Sequence, residues 1–320
     1  MPVPTDPLVY VDDRFVPASE ASVSVFDHGL LYGDGIFESV RIREGVVCFQ
    51  DRVIARLFRS AQAIGLDVQR SPDEIAELIH EGCHVNGLRE AYQRLIVTRG
   101  VGSLGLDPSG VPRPTVVLIT QVFPGLYPPE RIAAGLTLAT SSLRRPGPEV
   151  LNPKVKSLNY LNNVLARAEA GRHGADEALM IDGRGFVSEA TAVNLFLVEG
   201  GRVVTPPTAW VLPGITRAVV LELAAAEGIE AEERELTLYD VYNADEVFLT
   251  GTAAGVVPVT VVDGRQIGTG RPGPMALHLA EAFYEAAVED GVPLDMGNAP
   301  AGTSAGGAHR AETHPSFRRA

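Results

Sequence analysis

The segment Phe123-Pro124-Gly125-Leu126-Tyr127-Pro128-Pro129 does most to restrict how this chain can fold. Its prolines cannot donate to a β-ladder or continue a helix, so no regular element runs through it. Strand and helix patterns mix on both sides, and 320 residues favour two domains at the usual ~100–200 residues each. The reading is therefore a domain over 1–122, a linker over 123–131 and a larger domain over 132–295. From Gly297 onward the sequence is small, polar and aperiodic, so 296–320 are expected to be a disordered tail.

Within the first part, LVYVDDRFV and ESVRIREGVVCF read as strands, the second turning at Glu44-Gly45. Val53, Ile54, Leu57, Phe58, Ala61 and Ile64 then recur at helical spacing. A second helix opens at Ser71-Pro72-Asp73-Glu74, a capping box with proline in the first turn. YQRLIVTRG alternates, with Tyr92 and Arg94 on one face, and TVVLITQV is apolar enough for a central strand. The second part reads as a strand GLTLATSS, a Pro-rich stretch to Pro153, and a helix from about Leu158 to Gly171. Hairpins follow at Asp182-Gly183 and Gly200-Gly201, then a helix after Gly214-Ile215-Thr216. Strands EVFLTGTA and VVPVTVVDG and a helix around Leu279 to Val288 complete it, and no internal repeat is present.

Charge excludes some partners. Forty acidic against 27 basic residues give a formal charge of −13, which repels nucleic acid and acidic membranes. No apolar run approaches the ~20 residues that span a bilayer, and the amino terminus lacks the basic-then-apolar order of a signal peptide. Cys48 and Cys83 alone make no disulfide framework, so a cytoplasmic location is expected. His80, Cys83 and His84 form H-x-x-C-H, too few ligands for a structural zinc, and no metal is expected.

Of the 27 basic residues only Lys154 and Lys156 are lysines, and the other 25 are arginines. A desolvated lysine can lose its proton and form imines with carbonyl compounds, which arginine cannot do. The bland reading is two exposed lysines surviving in an arginine-biased chain. Against it, the common phosphate-loop, dinucleotide-binding, serine-hydrolase and zinc-protease motifs are all missing, which leaves imine chemistry as the better candidate. Spacing does not choose between the two lysines, because an i, i+2 pair in an extended segment shares a face.

The chain resembles fold-type IV pyridoxal-phosphate enzymes, most closely the branched-chain amino acid aminotransferases, over roughly residues 8 to 290. The resemblance rests on FDHGLLYGDGIFESVR (26–41), ARLFRSA (55–61), YQRLIVTRGVGSLGLDP (92–108), KSLNYLNNVLARAEA (156–170), VSEATAVNLF (187–196), LPGITR (212–217) and LTGTAAGVVPV (249–259). It implies an α/β (α+β) fold with a small N-terminal domain and a larger one built on a barrel-like sheet. Pyridoxal 5′-phosphate lies between them. Lys156 becomes the imine lysine and proton shuttle, and Lys154 a neighbouring cation that helps depress its pKa. Glu189 pairs with the pyridine nitrogen, and Tyr160 bonds the phenolic oxygen. Arg56, Leu212, Gly214, Ile215, Thr216 and Thr252 complete the cofactor site, with Gly214 to Thr216 holding phosphate at a helix start, where free amides favour anions.

By the same resemblance, Tyr32, Phe37, Arg94 and Tyr127 look like the substrate pocket, with Thr252 and Ala253 near the substrate carboxylate. The implied reaction moves the amino group of leucine, isoleucine or valine to 2-oxoglutarate by a ping-pong cycle. The implied partners are these amino and keto acids and a second copy of the chain, with residues near Tyr32 and the 100–108 loop approaching the partner's site. D-amino acid and (R)-amine transaminases and aminodeoxychorismate lyase share the cofactor residues, and the TRG at 98–100 is compatible with a D-amino acid enzyme. A non-catalytic phosphate-ligand-binding protein is the alternative of a different class. Three residues depart from the pattern: Val53 stands where a His is common, Gly255 where an acidic or polar residue is usual, and Gln93 replaces an apolar one.

Overall fold

A computed structural model describes residues 6–294. In chain order the first part holds β1 (Leu8–Val11), β2 (Arg14–Pro17), α1 (His28–Tyr32), β3 (Gly35–Arg43), β4 (Val46–Val47), α2 (Gln50–Ala63), α3 (Pro72–Asn86), β5 (Ala91–Thr98) and β6 (Thr115–Gln121). Then come α4 (Pro129–Ala134), β7 (Leu136–Arg145), α5 (Leu161–Arg172), β8 (Glu177–Asp182), β9 (Val187–Ala190), β10 (Asn194–Glu199) and β11 (Arg202–Thr205). The last elements are α6 (Ile215–Ala226), β12 (Ala231–Glu233), α7 (Leu238–Asn243), β13 (Glu246–Gly251), β14 (Gly255–Val262), β15 (Arg265–Gln266), α8 (Pro274–Glu289) and β16 (Val292–Pro293).

Two sheets organise these elements. The first has seven strands in the order β16-β4-β3-β5-β6-β1-β2, and the second runs β12-β11-β10-β13-β14-β7-β8-β9 with β15 beside β14. The second curls into a half-barrel, so the mixed α/β class stands. Ile36, Val40 and Ile42 of β3 face α2 and α3 in the first core, which Ile215 and Val219 of α6 and Ala287 of α8 also join. The other β3 face carries Phe37, Ser39 and Arg41, in register with Ile96, Arg94 and Tyr92 of β5. Alternation thus sends Ile36, Val40 and Ile42 into the core and turns Phe37, Ser39 and Arg41 to the other side, where Phe37 meets Lys156.

Several elements differ from the sequence expectation for identifiable reasons. LVYVDDRFV is a hairpin, because Asp12 and Asp13 both take positive φ (44° and 71°), the geometry of a two-residue hairpin turn. The linker's Pro129 starts α4 instead of blocking it, since a first-turn proline loses no hydrogen bond. β7 continues to Arg145, past the expected end at Ser142, through a bulge that sets Thr140 to Arg144 against only Leu179 to Ile181 of β8. Helix α8 begins earlier, at Pro274. The chain then returns as β16 to pair with β4 of the first sheet, a contact the two-part division did not anticipate. The expected tail lies outside the described residues.

Two sequence oddities are absorbed by the first core. Gln93 is fully buried on the β5 face away from Arg94, and its Nε2 donates to the Ile79 carbonyl at 2.8 Å and to Thr120 Oγ1 at 3.1 Å. His80 hydrogen-bonds Gln50 while Cys83 is buried against Gln93, so these two residues of the H-x-x-C-H cluster serve packing. Gly82 of α3 sits against the same group: a Cβ there would lie 2.7 Å from both Leu118 Cδ2 and Thr120 Oγ1. Gly82→Ala is therefore expected to cost about 1–3 kcal/mol by overpacking and to lower the melting temperature by roughly 2–10 °C. A melting curve identical to the parent's would show that the contact is not tight.

Candidate active site

The segment carrying Lys156 is fixed by β3. The Phe37 amide donates to the Lys156 carbonyl, the Leu158 amide donates to the Gly35 carbonyl, both at 2.9 Å, and Ile36 bridges Ser157. These bonds hold 156–158 extended, which delays α5 to Leu161 instead of the expected Leu158. Lys156 Nζ lies 4.5 Å from the centre of the Phe37 ring and 5.9 Å from that of Tyr160.

Lys156, Arg56, Tyr160 and Glu189 line a cavity of about 30 Å³, completed by Leu212, Gly214 to Thr216 and Thr252. All nine residues expected to meet the cofactor therefore lie around one space. Burial, and then the charges of Arg56 and Arg94, pull the Lys156 amine down to about 7. Exposed Lys154 is not among these causes, so the cations acting on Lys156 are arginines from elsewhere in the sequence. Burial pushes the Tyr160 hydroxyl up to about 12.

Two buried ion pairs flank the lysine, and sequence reading missed half of each. Arg56 Nε and Nη2 each bond one oxygen of fully buried Glu38 at 2.7 Å, while Nη1 donates to the Pro213 carbonyl at 3.2 Å, beside the start of α6. Glu189 receives Arg145 Nε at 2.8 Å, Arg145 Nη2 at 2.7 Å, Asn194 Nδ2 at 2.9 Å and the Leu212 amide at 3.2 Å. Burial pushes the Glu189 carboxyl up, and Arg145 pulls it back. Glu38 was read only as the first residue of a strand, and Arg145 fell in the Pro-rich stretch beyond the expected end of β7, so neither was singled out.

Helix α6 begins at Gly214 without a side-chain cap, so amides of its first turn are free for a ligand. A side chain at Gly214 would collide with Asn194 Oδ1, which explains the glycine. A lone lysine held near neutrality, a carboxylate across from it and an uncapped helix start together fit a carbonyl-bearing, phosphorylated heterocycle.

A second cavity of about 120 Å³ adjoins the first, sharing Ile215, Thr216 and Thr252. Tyr127, Ala253 and Arg41 line it, and so do the unusual Val53 and Gly255. The Tyr127 hydroxyl is already committed, donating to Glu177 at 2.9 Å, so its ring is what the cavity meets. Arg94 lies 4.5 Å from the Phe37 ring; its Nε is buried with no hydrogen-bond partner among the described residues. Tyr32 is not brought to Lys156 within the chain. Its hydroxyl accepts from the Gly105 amide at 2.9 Å, and α1 is joined to the loop after β5. Arg99 of the TRG run is also elsewhere: it bonds Asp34 through Nε and Nη2 at 2.9 and 3.0 Å and donates to the Ile64 and Gly65 carbonyls.

Fold and cleft together define a fold-type IV aminotransferase. The amino-transferase class IV family model matches residues 35–262, and the chain belongs to this family, whose members work with pyridoxal 5′-phosphate. A relative from Methanocaldococcus jannaschii, provisionally named a branched-chain-amino-acid aminotransferase, is 47% identical over 287 residues, 89% of this chain and 98% of that protein. The branched-chain-amino-acid aminotransferase of Pseudomonas aeruginosa is 36% identical over 88% of this chain and 92% of its own. The crystal structure of the T.th. branched-chain amino acid aminotransferase complexed with N-(5′-phosphopyridoxyl)-L-glutamate superposes with a TM-score of 0.84 at 35% identity, covering 89% of this chain and 95% of that one.

Only the neutral amine attacks an aldehyde, so reductive alkylation of Lys156 in cofactor-stripped protein should rise with pH to half-maximum near 7. An unperturbed lysine, at ~10.4, would follow about three pH units later. Arg94→Gln removes a depressing charge and should move the midpoint up, as mass spectrometry of the labelled peptide would report. A midpoint near 10 in the parent would contradict the cleft electrostatics.

Proposed function

We propose that this protein transfers the amino group of leucine, isoleucine and valine to 2-oxoglutarate with pyridoxal 5′-phosphate, in a ping-pong cycle whose first product leaves before the second substrate binds. The observation that carries this reading is Lys156, half-buried between two arginine–carboxylate pairs with its amine pulled down to about 7. When bound, the cofactor supplies an electron sink for negative charge developing at the substrate α-carbon. Lys156 Nζ anchors it and moves the proton to and from that carbon. Glu189, whose carboxylate accepts from Arg145, Asn194 and the Leu212 amide, would hold a proton on the cofactor's ring nitrogen. Arg56 and the first turn of α6 take the phosphate, with Thr252, while Tyr160 bonds the phenolic oxygen.

Thr252 and Ala253 receive the substrate's α-carboxylate, and Phe37 and Tyr127 give its side chain an apolar wall. The second substrate carries another carboxylate, and Arg94, with an unmet buried donor, receives it. The glutamate adduct in the T.th. enzyme supports the same pairing of cofactor and amino acid here. Arg99, fully engaged with Asp34 and the end of α2, leaves the D-amino acid reading without its carboxylate receptor inside the chain.

A homodimer completes the site. Phe26, Leu30, Leu104 and Leu106 are half or more exposed in the two joined segments around Tyr32, an apolar surface suited to a second copy. Through it Tyr32 and the 100–108 loop reach the partner's cleft. No described helix is long and apolar enough to cross a membrane.

Adding pyridoxal phosphate should produce the visible absorbance of lysine-bound cofactor, and L-leucine and L-glutamate should each bleach it. A response to D-alanine or an (R)-amine alone would keep the cofactor and replace the substrate. Lys156→Ala should abolish borohydride-trapped cofactor while Lys154→Ala retains it; the reverse would overturn the lysine assignment. Arg94→Gln should raise KM for 2-oxoglutarate roughly tenfold or more, in line with a charge-assisted bond of about 1.5–3 kcal/mol, and change KM for L-leucine far less. Equal losses for both would remove Arg94 from acceptor recognition.

A further inference from the structure

The floor of the Lys156 cleft holds a donor that none of the assignments above uses. Thr250, on β13, is 1% exposed, and it lines the same cavity as Arg56, Lys156 and Gly214. Its Oγ1 is buried and has no hydrogen-bond partner among the described residues. Other buried threonines of this half are satisfied: Thr205 donates to the Leu195 carbonyl at 2.7 Å, and Thr191 to Glu177 at 2.6 Å. A valine would fill the same volume at Thr250 without leaving a desolvated hydroxyl, so the hydroxyl is the part of this side chain that packing does not explain.

Register says which part of a ligand it meets. Thr250 stands directly opposite Asn194 of β10, and paired residues of adjacent strands share a face. Asn194 reaches the Leu212 carbonyl through Nδ2 at 2.9 Å, and its Oδ1 packs against Gly214, the residue that opens α6. The Thr250 hydroxyl is thereby placed beneath the uncapped first turn of that helix. We propose that Thr250 is a phosphate-binding residue, its hydroxyl donating to the phosphate of a phosphorylated pyridine cofactor docked at the start of α6. The inference rests on the proposed cofactor reading of the cleft and adds to it a ligand from the sheet below the helix.

The test uses the full chain stripped of cofactor, with Thr250→Val, Thr250→Ser and the parent titrated separately with pyridoxal phosphate and with pyridoxal, which lacks the phosphate. Binding is read from the absorbance of lysine-bound cofactor, and thermal melts are recorded without ligand. Thr250→Val should weaken pyridoxal phosphate about tenfold, leave pyridoxal unchanged, and melt no lower than the parent without ligand, because it removes an unpaired buried hydroxyl. Thr250→Ser should restore the phosphate-dependent affinity. Unchanged affinity of Thr250→Val for pyridoxal phosphate would overturn the proposal while leaving the cofactor reading intact. Equal weakening of both ligands, or a lower melting temperature with weakening that Thr250→Ser does not recover, would also overturn it. A parent chain that forms no lysine-bound absorbance at all would bring down the cofactor reading and this proposal together.

Discussion

Everything in the cleft depends on the short backbone pairing between β3 and residues 156–158. Two amide-to-carbonyl bonds, from Phe37 to Lys156 and from Leu158 to Gly35, bind a segment of the second half to a strand of the first. Because β3 is itself fixed by full register with β5 and by its apolar face on α2 and α3, the lysine inherits the rigidity of a sheet rather than the mobility of a loop. The same strand supplies Phe37 on the cleft face and Glu38 on the opposite face, so one alternating sequence positions both the ring beside the lysine and the acid that holds Arg56.

Around that lysine the charges are arranged in buried couples. Glu38 with Arg56 and Glu189 with Arg145 each bring opposite charges out of water with several hydrogen bonds, the condition under which burial of charge is tolerated. The couples leave the amine beside Arg56, whose charge Glu38 already balances, while Arg94 adds a second cation that belongs to neither couple. Burial and residual repulsion then favour the uncharged amine, which is the form that reacts with a carbonyl.

Much of this was legible in the sequence because the chemistry is local in composition: a chain that uses arginine almost everywhere reveals the place where only lysine will do. The helix-start signature around Gly214 and the hairpin glycines were readable for the same reason, since backbone geometry there limits residue choice. Arg145 was not readable. It lies beyond a bulge in β7 that shifts the register against β8, and no residue pattern announces a bulge. Glu38 was hidden by alternation, which predicts its face but not that a helix residue 18 positions on would meet it there. Arg99 shows the converse failure: a motif that suggests a carboxylate receptor is spent on tying β5 to Asp34 and the end of α2.

The return of β16 to β4 has a consequence for how the molecule is made. The first sheet contains both the earliest strands and the latest described one, with the whole curled second sheet lying between them in sequence. As the chain emerges from the ribosome, at about 5–20 residues per second, β4 keeps an open edge until Val292 and Pro293 have been made. Side chains from α6 and α8 that finish the first core arrive equally late. The amino-terminal half is thus synthesised first but completed last, and the two halves become native together rather than in succession.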